Sequence, residues 1–576
     1  MRTIKTSFVF TICVLVMFER ANLFAAGEDD PYMGQSSKEQ SKESSYEKIS
    51  SYISSGWDTL TRSLDKCKTF EDVKTDDEPT LYLPAELTRP PALTQLIQAQ
   101  CRVHVESLPE PISVHGDLAS SRIKTEGLLY LEHPYVVPGG QFNEMYGWDS
   151  YFIIRGLVLD GRLSLAKGMV ENFFFEIEHY GEILNANRTY YLTRSQPPFL
   201  SSMIRTVYEA EGSAKTQDVA WLQRAYEFAV RDYEQWTREP HLAGDTGLSR
   251  YFDHGEGPVP EIIGDPNAYY LGVAQFLALH GGTNERYLVR VDRNTPEGQI
   301  VGPVFSLATP CAKFLESPEN QTCSNVTKVA LTADYYKGDR SMRESGFDVS
   351  FRFGSFSADT HHYAPICLNS LLYKTETDLE QISKLLGKPQ DAEKWRQKAA
   401  QRRQEIDKYL WDAERGQYFD YDFTTHTRST YEFATTFYPL WAGLASEAQA
   451  RALMKNLARF EQPGGLAMSR VESQAQWDFP YGWAPIQMLA CEGMRRYGFK
   501  ENADRISYNF LTLVMQNFER DRTIREKYDV VTRTAVTHIA EGYTQNAVGF
   551  GWTNAVFLVL AGQLPPSQLD RLKREQ

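Results

Sequence analysis

The chain has 576 residues, 42% hydrophobic and 24% charged, a balance that fits a folded globular protein. A formal net charge of −14 argues against nucleic acid as a partner, because that affinity comes from Lys and Arg neutralising phosphates, and argues more weakly against a polyanionic substrate. Aromatics reach 13%, enough either to fill a large core or to line a cleft for sugars and other flat, partly apolar ligands.

At the N-terminus, Arg2 and Lys5 precede the apolar run "SFVFTICVLVMF", and "ANLFAAG" follows with small residues near Ala25 and Ala26. This layout predicts a secretory signal peptide over 1–26 and an exported protein, periplasmic or secreted. The run is too short to span a bilayer, although Glu19 and Arg20 leave an uncleaved anchor as the alternative. Residues 27–80 read as a polar linker or lead-in, dominated at first by Ser, Glu and Lys. Six Cys follow the signal: Cys67, Cys101, Cys311, Cys323, Cys367 and Cys491. Cys311 and Cys323 share one polar loop and are the best placed to pair; isolated thiols are the alternative.

From residue 81 to 568 the chain reads as one all-α domain. "SLAKGMVENFFFEIEHYG" puts Leu165, Met169, Phe173 and Ile177 at helical spacing. "DVAWLQRAYEFAVRDYEQWTRE" does the same with Val219, Leu222, Tyr226, Val230 and Tyr233. About a dozen such segments occur, without the fixed period of a solenoid. The pattern is compatible with an (α/α)6 barrel whose loops surround a pocket at one end. Short β-like pieces such as "RYLVRVDR" fall in an irregular block over about 268–340.

Six stretches break the helical rhythm with Gly, Pro and clustered polar or aromatic residues: "PGGQFNEMYGWDSYF" (138–152), "NANRTYYLTRSQPP" (185–198), "MRESGFDVSFRF" (342–353), "QWDFPYGWAPIQ" (476–487), "REKYDV" (525–530) and "GFGWTN" (549–554). Loops of this mixture on a helical scaffold are where function concentrates. Trp148, Tyr151, Trp477, Trp483 and Trp552 suit stacking on pyranose faces, and Asp149, Asn185, Arg194 and Gln196 suit hydroxyls. Asp348 and Glu526 are candidates for the two carboxylates that glycoside hydrolysis requires. Each feature alone has a structural counterpart: a Trp-Asp pair can be an indole over a helix N-cap, and Asp348 itself can be a cap. The sequence has no G-x-S-x-G elbow, Walker loop or H-E-x-x-H. No histidines show metal-ligand spacing, and His361–His362 reads as an isolated pair with a surface role rather than a metal site.

These stretches resemble the trehalase family of glycoside hydrolases. Its two long motifs correspond to "PGGQFNEMYGWDSY" and "QWDFPYGWAP", and the likeness continues in order through "RESGFDVSFRF", "EKYDV" and "GFGWTN". Details such as "TGLSRYF" lean towards the fungal neutral branch. The resemblance implies an (α/α)6 barrel that hydrolyses α,α-trehalose to two glucoses with inversion. It implies Asp348 as general acid and Glu526 as general base, with neither a metal nor an organic cofactor. It also implies sugar contacts from Gln141, Phe142, Trp148, Asp149, Asn185, Arg194, Ser195, Gln196, Glu261, Gly346, Trp477, Asp478 and Trp483. The alternatives are a related inverting glycosidase on another α-glucoside and a non-catalytic sugar-binding protein. Three departures stand out: Gln141 replaces an Arg of the motif, Phe347 replaces a Trp of bacterial members, and "VTRTAVTHIAEGYTQNAV" (531–548) replaces their Gly-rich lid.

Overall fold

The computed structural model describes residues 44–575 apart from 71–78, 92, 94–100, 115, 117, 119–121, 213–216, 263–264 and 309–325. The predicted signal segment and the Cys311–Cys323 pair lie outside the described residues. Among those described, one disulfide joins Cys67 to Cys101, while Cys367 and Cys491 are buried thiols.

Six helices form the inner wall: Gly147–Leu159, Leu200–Ala210, Ile366–Leu385, Tyr438–Ala442, Ala484–Arg496 and Gly551–Gln563. Each packs on the next, and the last packs back on the first, so the ring is closed. Gly147–Leu159 and Gly551–Gln563 are buried on nearly every side, as a helix apolar all round must be. Leu163–His179, Val219–Trp236, Pro389–Tyr409 and Lys500–Asp521 pack outside this wall. Val219–Trp236 and Pro389–Tyr409 bury one stripe each, whereas Leu163–His179 and Lys500–Asp521 are buried on every side over 172–177 and 510–515. In Val219–Trp236 the stripe runs Leu222, Ala225, Tyr226, Ala229 and Tyr233, and Asp218 caps the first turn by accepting from Trp221 N at 2.9 Å. The architecture is an (α/α)6 barrel.

Ring closure depends on a residue without a side chain. A Cβ at Gly156 would stand 2.6 Å from Ala555 Cβ and 2.7 Å from Ala555 Cα, so the first and last inner helices approach backbone to backbone. We expect Gly156→Val to destabilise the fold by about 1–3 kcal/mol, the usual cost of overpacking. Equal midpoints in a denaturant titration of variant and parent would refute that tight approach.

Two parts of the chain differ from the sequence reading. Ser45–Leu60, inside the predicted polar linker, is a helix with a capping box formed by Ser44 and Glu47. Ile49, Ile53, Trp57 and Leu60 form a buried stripe on it that packs against Lys500–Asp521 and Gly551–Gln563. Its five Ser and other polar residues mask that i, i+4 spacing in composition. The block over 268–340 is also more ordered than predicted. Pro266–His280 is a helix with Asp265 as N-cap and Pro266 in its first turn. An antiparallel sheet follows, with Val326–Leu331 between Leu288–Arg290 and Val304–Ala308. Together with Ala333–Glu344 these elements enclose a second core around Tyr270, Tyr335 and Tyr336. No described helix is long and apolar enough to cross a membrane.

Candidate active site

A cavity of about 280 Å³ lies where several inner helices begin. Trp148 and Asp149 come from the first turn of Gly147–Leu159, and Trp552 from that of Gly551–Gln563. Gln196 and Trp483 stand just before the helices that start at Leu200 and Ala484. Helix N-termini present unpaired N–H groups and a partial positive charge, which favours carboxylates and hydroxyl oxygens there.

Asp348 reaches the cavity because Ala333–Glu344 ends abruptly. Gly346 adopts φ +76°, and any Cβ on it would come within 2.9 Å of the Trp148 ring. The chain therefore turns against the indole and presents Asp348 two residues later. Its side chain is 23% exposed. Burial pushes its pKa up to about 6, although the Arg343 guanidinium, 3.8 Å away, pulls it back down. Arg343 also donates to the Tyr543 hydroxyl at 3.1 Å. Asp149 is buried, and its pKa rises well above the usual carboxylate range, first from burial and then from the Glu526 and Asp348 carboxylates.

Glu526 is held from the other side. Strand Lys527–Asp529 pairs with Tyr481–Trp483, so Lys527 lies opposite Trp483. Glu526 N donates to Ala547 O at 3.0 Å, and its carbonyl accepts from the Trp552 indole at 3.2 Å. The fully buried Lys527 ammonium donates to Glu526 Oε2 and to Gln476 Oε1, both at 2.9 Å. The Gln476 amide in turn donates a short hydrogen bond to the Asp348 carbonyl. One polar chain thus links the backbone of one candidate carboxylate to the side chain of the other. The same ammonium approaches the carbonyls of Tyr543 and Gln545 at 3.4 and 3.3 Å.

The remaining wall is aromatic and hydrogen-bonding. Trp477 and Trp483 stack with ring centroids 3.8 Å apart, and Trp148 leans on Trp477 at 5.9 Å. Arg194 is ion-paired with Glu261 and lies 3.7 Å from Asp253. Those partners outweigh burial and keep Arg194 firmly charged. For Glu261, burial is outweighed by Arg194 and Arg343, which hold its carboxyl below the usual range. Arg194 Nε and Glu261 Oε2 are buried without hydrogen-bond partners in the protein. A donor and an acceptor are thus left for hydroxyl groups.

Gln141, Phe142, Trp148, Asp149, Asn185, Arg194, Gln196, Glu261, Gly346, Asp348, Trp477, Trp483 and Glu526 all line this cavity. Two predicted contacts do not. Ser195 is buried and donates its hydroxyl to Ile183 O at 2.5 Å, so it shapes the turn between Arg194 and Gln196. Asp478 has no exposed surface and accepts from Phe351 N at 2.9 Å, Tyr431 Oη at 2.7 Å and Ser473 Oγ at 2.6 Å. It fastens the loop beyond Asp348 to the Trp477 segment. Tyr151, proposed for stacking, is buried against Phe199 instead. Phe347 packs beneath Trp148 and Trp477, at 5.6 and 5.1 Å. The sequence reading missed Arg343, Gln476, Tyr146, Tyr190, Tyr191 and the Gly542–Gln545 stretch, all in the lining. Gly542–Gln545 belongs to the segment that replaces the Gly-rich lid, so this segment takes a place in the cavity wall.

Comparison with known proteins agrees with this geometry. The trehalase family model matches residues 68–269 and 278–564. A cytosolic neutral trehalase of Saccharomyces cerevisiae is 35% identical, covering 87% of this chain and 70% of that protein. One from Beauveria bassiana is also 35% identical, covering 87% and 71%. The structure of neutral trehalase Nth1 from Saccharomyces cerevisiae superposes with a TM-score of 0.73 at 33% identity, covering 92% of this chain and 96% of that one. These relatives are named as cytosolic enzymes, which overturns the predicted export. A short apolar run after two basic residues is weak grounds for a signal, and here Glu19 and Arg20 stand between the run and the small residues near Ala25 and Ala26. On sequence and fold together, the chain is a member of the trehalase family.

Proposed function

We infer that the chain hydrolyses α,α-trehalose to two glucose molecules, with Asp348 as general acid and Glu526 as general base. The observation that carries the assignment is the pair of carboxyls in one aromatic cavity, one with its pKa raised to about 6 by burial. Asp348 protonates the glycosidic oxygen as the bond to one anomeric carbon breaks. Glu526 takes a proton from the water that attacks that carbon on the opposite face. Burial first, and then the Glu526 and Asp348 carboxyls, raise the Asp149 pKa well above the usual carboxylate range, so Asp149 holds a proton more tightly than a free carboxyl beside the sugar. Trp477 and Trp148 offer apolar faces to the pyranose rings.

Inversion fixes the product anomers. The attacked glucose leaves as β and the other stays α, so NMR of the first turnovers should show equal amounts of each. Only α-glucose at early times would mean retention, and Glu526 would then need a different role.

Gln141 lies exposed at the rim of the cavity. A guanidinium there offers a fixed fork of donors in place of one amide. Gln141→Arg is expected to lower KM about 3- to 10-fold with little change in kcat. An unchanged or higher KM would show that this wall is built around the amide.

A further inference from the structure

We propose that Asp334, His361 and His362 form a zinc-type divalent cation site on the outside of the barrel. Asp334 opens the helix Ala333–Glu344, and the two histidines form the turn Thr360–His362. Both imidazoles aim Nε2 at the same carboxylate oxygen: His361 stands 2.9 Å from Asp334 Oδ1, and His362 stands 3.5 Å from it. All three ligand atoms lie within 4.8 Å of one another. An ion bound at about 2.0–2.2 Å from each of three tetrahedral ligands keeps those ligands about 3.3–3.6 Å apart. The observed spacing needs only small side-chain adjustments to meet that.

A second feature points the same way. The other nitrogen of His362, Nδ1, is 3.4 Å from Asp359 Oδ1. Arg286 and the Tyr287 hydroxyl both hydrogen-bond that carboxylate oxygen and fix it. Metal-binding histidines characteristically donate their free ring N–H to such a carboxylate, which sets the tautomer and leaves the other nitrogen available to the ion. His361 is buried and Asp334 is half exposed, so the site is rigid on one side and open to entry on the other.

None of the three residues lines the catalytic cavity, and the two sites are separate. Between Asp334 and the histidines the chain carries Arg343, Gly346 and Asp348. An ion here would clip together the two ends of the segment that presents the general acid. Two imidazoles and one carboxylate suit zinc, nickel or cobalt over magnesium or calcium, which prefer oxygen-only shells.

The test uses the full chain, stripped with a chelator, loaded with Zn²⁺ alone and desalted. One zinc per chain is expected by elemental analysis, with a rise in Tm of about 2–5 °C at saturation. Asp334→Asn preserves the shape and a hydrogen-bond acceptor but is a poor ligand; it should lose both the zinc and the shift, as should His361→Ala combined with His362→Ala. Equal trehalose turnover by stripped Asp334→Asn and stripped parent would show that the variant is folded. Absence of stoichiometric zinc in the parent, or undiminished zinc and Tm shift in the variants, overturns the proposal.

Discussion

Asp348→Asn and Glu526→Gln are each expected to lower kcat on trehalose by about 10²- to 10⁴-fold, the range for losing a general acid or base. Both substitutions keep shape and volume, so circular dichroism and Tm should barely change. The pH profile adds a sharper criterion. A general acid works only while protonated, and burial raises the pKa of Asp348 to about 6. For the parent, kcat/KM should therefore fall about tenfold per pH unit above roughly 6, because the required proton is lost. In Asp348→Asn the residual activity should lack that descending limb. Parental rates in either variant, or persistence of the limb in Asp348→Asn, would remove these residues from the mechanism.

Lys527→Met is expected to have the next largest effect, about 10²-fold on kcat, although Lys527 touches no substrate position. Its ammonium has no exposed surface and is surrounded by Glu526 Oε2, Gln476 Oε1 and two carbonyls of the 543–545 segment. Met fills the volume but removes the charge and every donor. Glu526 then loses its ion pair, and Gln476 loses the partner that aligns it on the Asp348 carbonyl. The loss should fall on kcat with KM little changed, because Lys527 orients the base rather than the bound sugar. Loss of stability alone would lower activity in step with the folded fraction, so a fall in kcat fully matched by lost circular dichroism and Tm would reduce Lys527 to a structural role.

The barrel was legible because its evidence is local. An apolar stripe every three to four residues announces a helix wherever it occurs, and most of the outer helices carry one. Ser45–Leu60 escaped because polar residues dominate it, and only four apolar positions carry its stripe. Pro266–His280 escaped for the opposite reason: its apolar residues are spread around the axis and show no clear face. The cavity was legible through runs of Trp, Asp and Gly that no helix core would need. Asp478 and Ser195 were misread because they lie inside those runs, and their burial depends on partners far along the chain or across a turn. Phe351 and Tyr431, which hold Asp478, are 127 and 47 residues away. Arg343 stood in plain view five residues before Asp348, where an arginine on the last turn of a helix could have been paired with it. Tyr543 and Gln476 offered no such clue, because they reach the cavity through contacts between distant segments.

The contact between Gly156 and Ala555 sets an order on the protein's synthesis. Trp148 and Trp552 pack edge to face in the wall of the same cavity, with ring centroids 5.7 Å apart, yet they sit near opposite ends of the barrel sequence. A nascent chain can assemble outer helices and the second core as they leave the ribosome. It cannot complete the cavity until the helix Gly551–Gln563 has emerged and closed the ring. Until then the inner faces of the Gly147–Leu159 and Ala484–Arg496 helices lack their partner, which leaves apolar surface open to aggregation. The arrival of this last inner helix, more than the formation of any earlier one, thus completes the cavity.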